Sequence, residues 1–268
     1  MTTERRSATY THGHAEPVLR SHRWRTAENS AAYLLGALEP GMTILDVGSG
    51  PGTITADLAA RVAPGSVLGI DPAAEAVQAA VRDHRAENLT FRVEDVHELD
   101  PAEGRFDVVH AHQVLQHVAD PVATLVAMGA LCRPGGVVAA RDADYAAMTW
   151  WPQLPGLDDW LEIYRTVARA SGGEPDAGRR LKHWAREAGF EHVTATASTW
   201  CFTEPEDREW WGRTWAERIT ASRLATRAVE LGVATADDLE RCAAAWREWV
   251  DAPDGWFVVV HGEVLATA

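Results

Sequence analysis

A β-branched run that breaks into three closely spaced glycines limits what this chain can fold into. Thr43-Ile-Leu-Asp-Val47 has the composition of a buried strand, and Gly48-Ser-Gly50-Pro-Gly52 follows it directly. Ile54, Leu58 and Val62 then repeat at helical spacing. A strand that turns sharply into a helix needs residues that tolerate unusual dihedrals. Glycine does so and, lacking Cβ, also lets a ligand come close to the main chain. Taken alone, G-x-G-x-G is a weak signal, because any tight strand-to-helix turn can use the same residues.

The turn belongs to a longer pattern. From about residue 42 to 142, short β-branched runs alternate with helical ones, as parallel strands joined by crossover helices do. The further runs cover 67–71, 89–93, 106–111 and 136–142, and between them Ala74, Val77 and Val81, then Leu125, Met128 and Leu131, read as core faces. A helix over about 27–38 precedes them and stops at Glu39-Pro40-Gly41. Beyond 142 the pattern changes. Trp150-Trp151-Pro152 through Gly156 reads as a loop, followed by a helix carrying Leu157, Trp160, Leu161 and Tyr164 and another carrying Leu181, Trp184 and Ala188. Residues 192–201 alternate like a strand, and 255–260 read as the last one. Thr203-Glu-Pro-Glu206 and Thr235-Ala-Asp-Asp238 both have capping-box spacing and each predicts a helix start. The first helix aligns Trp211, Trp215 and Ile219, the second Leu239, Cys242, Trp246 and Trp249 or Val250.

Two acids give the glycine turn a chemical context. Asp71 ends the second strand, where a carboxylate can accept hydrogen bonds from both hydroxyls of a ribose lying at the neighbouring turn. Asp95, in Val93-Glu-Asp95-Val96, lies just past the third strand, on the sheet edge where ligands of open α/β folds bind. The spacing also separates ligand classes. A dinucleotide fingerprint wants its third glycine at position 53, where this chain has Thr53, and has no need of an acid inside the strand at Asp46.

The words Ile44-Leu45-Asp46-Val47-Gly48-Ser49-Gly50-Pro51-Gly52 resemble motif I of the class I S-adenosylmethionine-dependent methyltransferases. The resemblance continues in order through Asp71, through Asp95-Val96, through Phe106 to Pro121 and through Leu131-Cys-Arg-Pro134-Gly135-Gly136. More narrowly, the chain resembles the branch that contains the ubiquinone and menaquinone biosynthesis methyltransferases and many small-molecule enzymes of secondary metabolism. The resemblance implies S-adenosylmethionine as cofactor, surrounded by Asp46, Gly48, Ser49, Gly50, Gly52 and Thr53 at the turn. It places Asp71 with Pro72 at the ribose, Asp95 and Val96 at the adenine, and His112 and Gln113 beyond the fourth strand. Tyr10 joins this set as an aromatic face that a sulfonium would attract. The fold class implied is α/β: a Rossmann-like, doubly wound, mostly parallel seven-stranded sheet with an antiparallel last strand, an N-terminal helical segment and C-terminal helical insertions. It forms one domain, with a helical cap over 1–40, a cofactor-binding core over 41–142 and an acceptor side over 143–268.

Methyl transfer from a sulfonium is an in-line displacement, so alignment and exclusion of water carry much of it. An acceptor that must lose a proton gains from a base titrating near neutrality, and His117 and His14 are the candidates, although each such histidine is more often a surface or capping residue. His110 alternates with its strand and reads as packed. Arg23-Trp24-Arg25 offers donors for a carboxylate, and Arg141-Asp142-Ala-Asp144-Tyr145 leaves the fifth strand where an acceptor would lie. Trp211 with Trp215 and Trp246 with Trp249 are spaced as helix core faces, whereas Trp150 and Trp151, in a loop, are the tryptophans expected to line an apolar acceptor pocket.

Composition removes other classes. With 25 Lys+Arg against 39 Asp+Glu the formal net charge is −14, a field that repels nucleic-acid phosphates. No apolar run approaches the ~20 residues that cross a bilayer, and the first residues carry no signal-peptide stretch. Cys132, Cys201 and Cys242 are spaced for neither a disulfide framework nor a metal pair, so a reducing cytoplasm and no metal are expected. The function expected is methyl transfer to a small organic acceptor, apolar or aromatic, with no nucleic-acid or membrane partner and with homodimerisation left open. The alternatives are a nicotinamide-dependent oxidoreductase, a non-methylating protein that keeps the cofactor fold as a cyclase or sensor, and a macromolecule methylase.

Overall fold

The computed structural model describes residues 24–103 and 105–268. Tyr10, His14 and Arg23, named above, lie outside the described residues. Five parallel strands form the core of the sheet: β1 (Ile44–Val47), β2 (Val67–Asp71), β3 (Leu89–Val93), β4 (Phe106–His112) and β5 (Cys132–Ala143). Their spatial order is β3-β2-β1-β4-β5, so the chain moves outward from β1 to β3 and then returns to the other side of β1. That reversal puts a crevice at the carboxyl ends of β1 and β4, where open α/β sheets bind ligands.

The antiparallel strand β8 (Trp256–Thr267) completes the sheet. Residues 261–267 pair with β5, residues 257–266 pair along the other edge with β7 (Val193–Phe202), and its first residues pair with β6 (Thr149–Trp151). Among the described residues the sheet therefore has eight strands rather than the seven expected, and the segment read as a loop at Trp150-Trp151 begins as a strand. The reason is packing at a distance: Trp150 lies opposite Phe257, with rings stacked at 5.6 Å, and the Trp151 indole donates to Asp254.

Around the sheet run α1 (Ala27–Ser30), α2 (Ala32–Leu35), α3 (Thr53–Val62), α4 (Ala74–Asp83), α5 (Pro121–Leu131), α6 (Pro155–Ala170), α7 (Leu181–Glu187), α8 (Pro205–Ala221), α9 (Arg223–Glu230) and α10 (Ala236–Asp251). The single helix expected over 27–38 is two short turns, broken where Ala31 leaves helical space at φ −136°. On α4 the inward face is Ala76, Val77 and Ala80; Ala74 and Val81, expected in the core, are exposed. The two capping boxes diverge. Thr235 accepts from the Asp238 N–H while Asp238 accepts from the Thr235 N–H, a reciprocal pair that opens α10 as expected. At α8 the cap is Glu204, with no side-chain bond, because Pro205 occupies the first helical position and moves the start one residue past Thr203.

Three apolar cores follow. One lies beneath α1 to α3, and one between the sheet and α5 and α7. The third is built from α6, α8, α10 and the outer strands, with Trp160, Trp215, Trp246 and Trp249 fully buried. Among the described residues no helix is long and apolar enough to cross a membrane.

Candidate functional site

Gly48, Gly50 and Gly52 all take left-handed backbone, at φ 69°, 54° and 85°, which an L side chain adopts only with strain. Two of them are also packed against protein. A Cβ at Gly48 would lie 2.5 Å from a Val114 methyl, and one at Gly52 would lie 2.6 Å from the Phe91 ring. Gly52, expected at the cofactor, does not border the cavity described below; it caps α3 and makes room for Phe91. The N–H groups of Ser49, Gly50 and Gly52 donate to Ile70 O, Asp71 Oδ2 and Ser49 O. The turn thus offers bare room rather than a nest of donors, which removes support from a pyrophosphate-bearing dinucleotide that would need those groups.

Beneath the turn, Asp46 is a strut. Its Oδ1 lies 2.8 Å from His110 Nδ1 and its Oδ2 accepts from Thr55 Oγ1 at 2.5 Å, so one buried carboxylate ties β1, β4 and α3 together. His110 is packed, as its alternation predicts. One strand over, Asp71 faces the turn: its oxygens accept from Gly50 N at 3.0 Å and Ala73 N at 2.8 Å. Those bonds fix the carboxylate's orientation toward the turn. Asp95 is exposed at the cavity rim and accepts from His97 N at 3.0 Å. Val96 departs from expectation, since its side chain packs with Ile70 and Leu99 in the core and not against the cavity. The reason is the turn after β3, which sends Asp95 outward and Val96 inward.

Asp46, Gly48, Ser49, Gly50, Thr53, Asp71, Pro72, Asp95, His112, Gln113 and His117 share the wall of one cavity of about 850 Å³. That volume lies within the range of small-molecule sites. Gln113, at the exit of β4, is held in left-handed backbone at φ 54°, its amide oxygen taking Arg25 Nη2 at 2.8 Å and its Nε2 lying 2.9 Å from His261. A non-glycine residue in that region at a cavity wall marks backbone strain held in place by its partners. His117 lies beside Gln116, Nε2 to Nε2 at 3.2 Å. Burial, aided by the charge of Arg25, brings its imidazole down to about 3. It therefore stays neutral at pH 7 and does not titrate near neutrality as the expected base would.

The far end of the same cavity is aromatic, walled by Tyr145, Met148, Trp200, Trp211, Trp215 and Val259, with Arg218 among them. Trp150 and Trp151, expected here, do not border it: the first stacks on Phe257 and the second is 53% exposed. Trp211 and Trp215 serve both purposes, since α8 turns one face to the core and the same rings toward the cavity. Arg218 had a legible sequence signal, a cation one turn past Trp215 inside an apolar stripe. It is 5% exposed, with its guanidinium 5.3 Å from the Trp215 ring.

Between the two ends lies a buried polar layer. Arg141 donates from Nε to Glu263 and Ser198 and sits 5.1 Å over the Trp200 ring. Asp142 accepts from Gln116 N at 3.0 Å, and burial pushes its carboxyl up to about 7 against the pull of those main-chain donors and Arg141. Neither borders the main cavity; of the segment expected to meet an acceptor, Ala143 and Tyr145 do, while Asp144 pairs with Arg179. Burial, with Arg141 and Arg25 nearby, also holds His112 and His261 well below the usual imidazole range. Among the described residues no group of His, Cys, Asp or Glu is arranged to hold a metal.

Comparison with known proteins agrees with this geometry. A family model described as a methyltransferase domain matches residues 38–189. An uncharacterised methyltransferase of Schizosaccharomyces pombe is 32% identical over 267 residues, which is 96% of this chain and 95% of that protein. The ubiquinone biosynthesis O-methyltransferase of Alkalilimnicola ehrlichii is 35% identical over 176 residues, covering 59% of this chain and 63% of that one. Among solved structures, the YcgJ protein of Bacillus subtilis superposes with a TM-score of 0.55 at 16% identity, over 90% of this chain and 98% of that one, a likeness of fold.

Proposed function

This chain belongs to the class I S-adenosylmethionine-dependent methyltransferases, and from that premise we propose that it methylates a small, flat, largely apolar organic acceptor. The observation that carries the proposal is that Asp71 and the glycine turn line the same cavity as Trp211 and Trp215. The residues at the turn suit S-adenosylmethionine: an oriented carboxylate for a diol, bare backbone beside it, and an acid at the rim for an amino group. When bound, that cofactor supplies a methyl group on a positively charged sulfur.

The chain's own residues would do the following. Asp71 accepts the ribose hydroxyls, Asp95 the adenine amino group, and Asp46 keeps the turn in register from below. Gln113, fixed by Arg25 and His261, shapes the middle of the cavity. Tyr145, Trp200, Trp211 and Trp215 press the acceptor into line and exclude water, which is where an in-line displacement gains most. His117 remains a polar wall group. We place the enzyme in the small-molecule metabolism of the cytoplasm, where its −14 charge is no obstacle, since a small acceptor needs no basic surface.

The test is transfer of labelled methyl from S-adenosylmethionine into a fractionated metabolite extract of the source cells, with mass identification of the product. Label appearing in a low-mass aromatic product supports the proposal; label confined to protein or RNA overturns it.

A further inference from the structure

We propose that Asp142 is a positioning residue for the cofactor end: from outside the cavity it holds the turn at 115–117, and through that turn the wall that runs from Gln116 to Asp120. The proposal rests on S-adenosylmethionine occupying that end. Gln116, His117, Val118, Ala119 and Asp120 all border the cavity, and Asp142 does not.

The turn needs an anchor from elsewhere in the chain. Leu115–His117 is one turn of 3-10 helix soon after β4, with His117 N donating to Val114 O at 2.9 Å. The first N–H groups of a helical turn have no partner within it, and Val114, at the cap position, makes no side-chain bond to them. Asp142 on β5 supplies the missing acceptor. Its Oδ1 takes Gln116 N at 3.0 Å, and the Leu115 N–H draws on the same carboxylate. On the other side, the Gln116 carbonyl accepts from Glu174 N at 2.9 Å, and a Cβ at Gly173 would lie 2.6 Å from that oxygen. Gln116 is therefore clasped between β5 and the 173–174 loop, and of those two hydrogen-bond partners only the carboxylate belongs to a side chain. Beyond the turn, Asp120 caps α5 by accepting from Ala123 N at 2.8 Å, and Thr124 Oγ1 lies 3.4 Å from His97 Nε2, so the wall reaches the rim that carries Asp95.

A neutral amide would cap this turn without burying an ionisable group. Asp142 is 0% exposed and its Oδ2 has no hydrogen-bond partner among the described residues, which is why burial lifts the carboxyl to about 7. Facing it are Arg141 on its own strand, Arg25 ahead of α1 and Tyr33 on α2. His112 on β4 and His261 on β8 flank it in register and, like His117 in the turn, are held neutral by burial. Asp144 is paired with Arg179, and Glu174 with Arg169 and Arg180. Both forms of Asp142 are populated near pH 7, and the ionised one makes the stronger bonds to N–H groups. The turn is thus held more firmly as pH rises through 7. When the hold weakens, a smaller fraction of molecules has the wall in place, and apparent affinity falls by that fraction.

The test is calorimetry of the full chain with S-adenosylhomocysteine at pH 6 and pH 8.5. It compares the unaltered chain with Asp142→Asn, which keeps an acceptor for Gln116 but cannot ionise, and with Asp142→Ala, which keeps none. At pH 6 the asparagine variant should bind within about 1.5-fold of the unaltered chain, and at pH 8.5 about threefold more weakly; the alanine variant should be about tenfold weaker at pH 8.5. Groups that titrate in every variant, the ligand's own included, cancel from these ratios. A purely structural Asp142 would shift the urea midpoint and leave the asparagine ratio constant with pH. Should Asp142→Ala fail to fold, the asparagine ratio decides. A ratio equal at the two pH values, or one that moves the other way, overturns the proposal, and so does a folded alanine variant that binds like the unaltered chain. Absence of binding by the unaltered chain at both pH values overturns the cofactor reading itself.

Discussion

At the glycine end the cavity wall is main chain and short side chains held by hydrogen bonds: Asp71 on Gly50 and Ala73, Asp46 on His110 and Thr55. At the tryptophan end it is the surface of large rings positioned by other rings, with Trp160 edge-on to both Trp215 and Trp246 at 4.7 and 4.8 Å. The first wall is made by residues within a strand or two of each other. The second needs α6, α8 and α10 to be packed before any of its surface exists. Ligand affinity and fold stability should therefore separate between the two ends, and each prediction below can break that separation.

The largest effect is expected at Trp160→Ala, where a fully buried ring leaves a void and costs about 3–5 kcal/mol in urea unfolding. Affinity of the folded fraction for S-adenosylhomocysteine should be unchanged; a matching loss of affinity would show the two ends to be one unit. Next comes Gly52→Ala, which combines left-handed backbone with contact on Phe91 and should cost about 2–4 kcal/mol. The glycine end then affects stability through its own backbone. Asp71→Ala should weaken S-adenosylhomocysteine by about 1.5–3 kcal/mol in calorimetry, with less change in unfolding midpoint than Gly52→Ala. Unchanged binding would remove the ribose from this carboxylate. Gly135→Ala, also left-handed but facing open space, should cost only about 1–2 kcal/mol and so isolates the backbone contribution.

The last prediction is one of shape with pH, in the layer between the ends. Asp142 titrates at about 7 when folded, against about 3.9 in an unfolded chain, so the folded state holds the extra proton between those values. Its contribution to stability is full below about pH 4 and is lost as pH rises through 7. The difference in unfolding free energy between Asp142→Asn and the unaltered chain should therefore move in the variant's favour from pH 5 to pH 8. A constant difference would mean that the carboxyl is not desolvated there.

Most of the glycine end was legible in the sequence, because local order carries it. A strand, three glycines and a helix specify a turn, and the positions of Asp71 and Asp95 at strand ends follow from the period of the pattern. Gly52 and Val96 were misread, since only the packing of Phe91, Ile70 and Leu99 shows which turn atoms face protein and which face the cavity. The tryptophan end was misread more deeply. Spacing correctly made Trp211 and Trp215 core residues, yet one ring can border a core and a cavity together, and no periodicity separates the two. Trp150 followed from neither period nor composition, because its strand exists only by pairing with Phe257, which lies far along the chain.

By itself the amino-acid order determined the α/β class, the turn, the acid at the end of the second strand and the family, all of them consequences of contacts between residues near in sequence or of repeating strand-helix units. The tertiary structure decided which aromatic rings wall the far end of the cavity, which buried ring nitrogens lack hydrogen-bond partners and where charge is buried. Those outcomes depend on long-range packing and desolvation, whose energies arise only when distant segments meet.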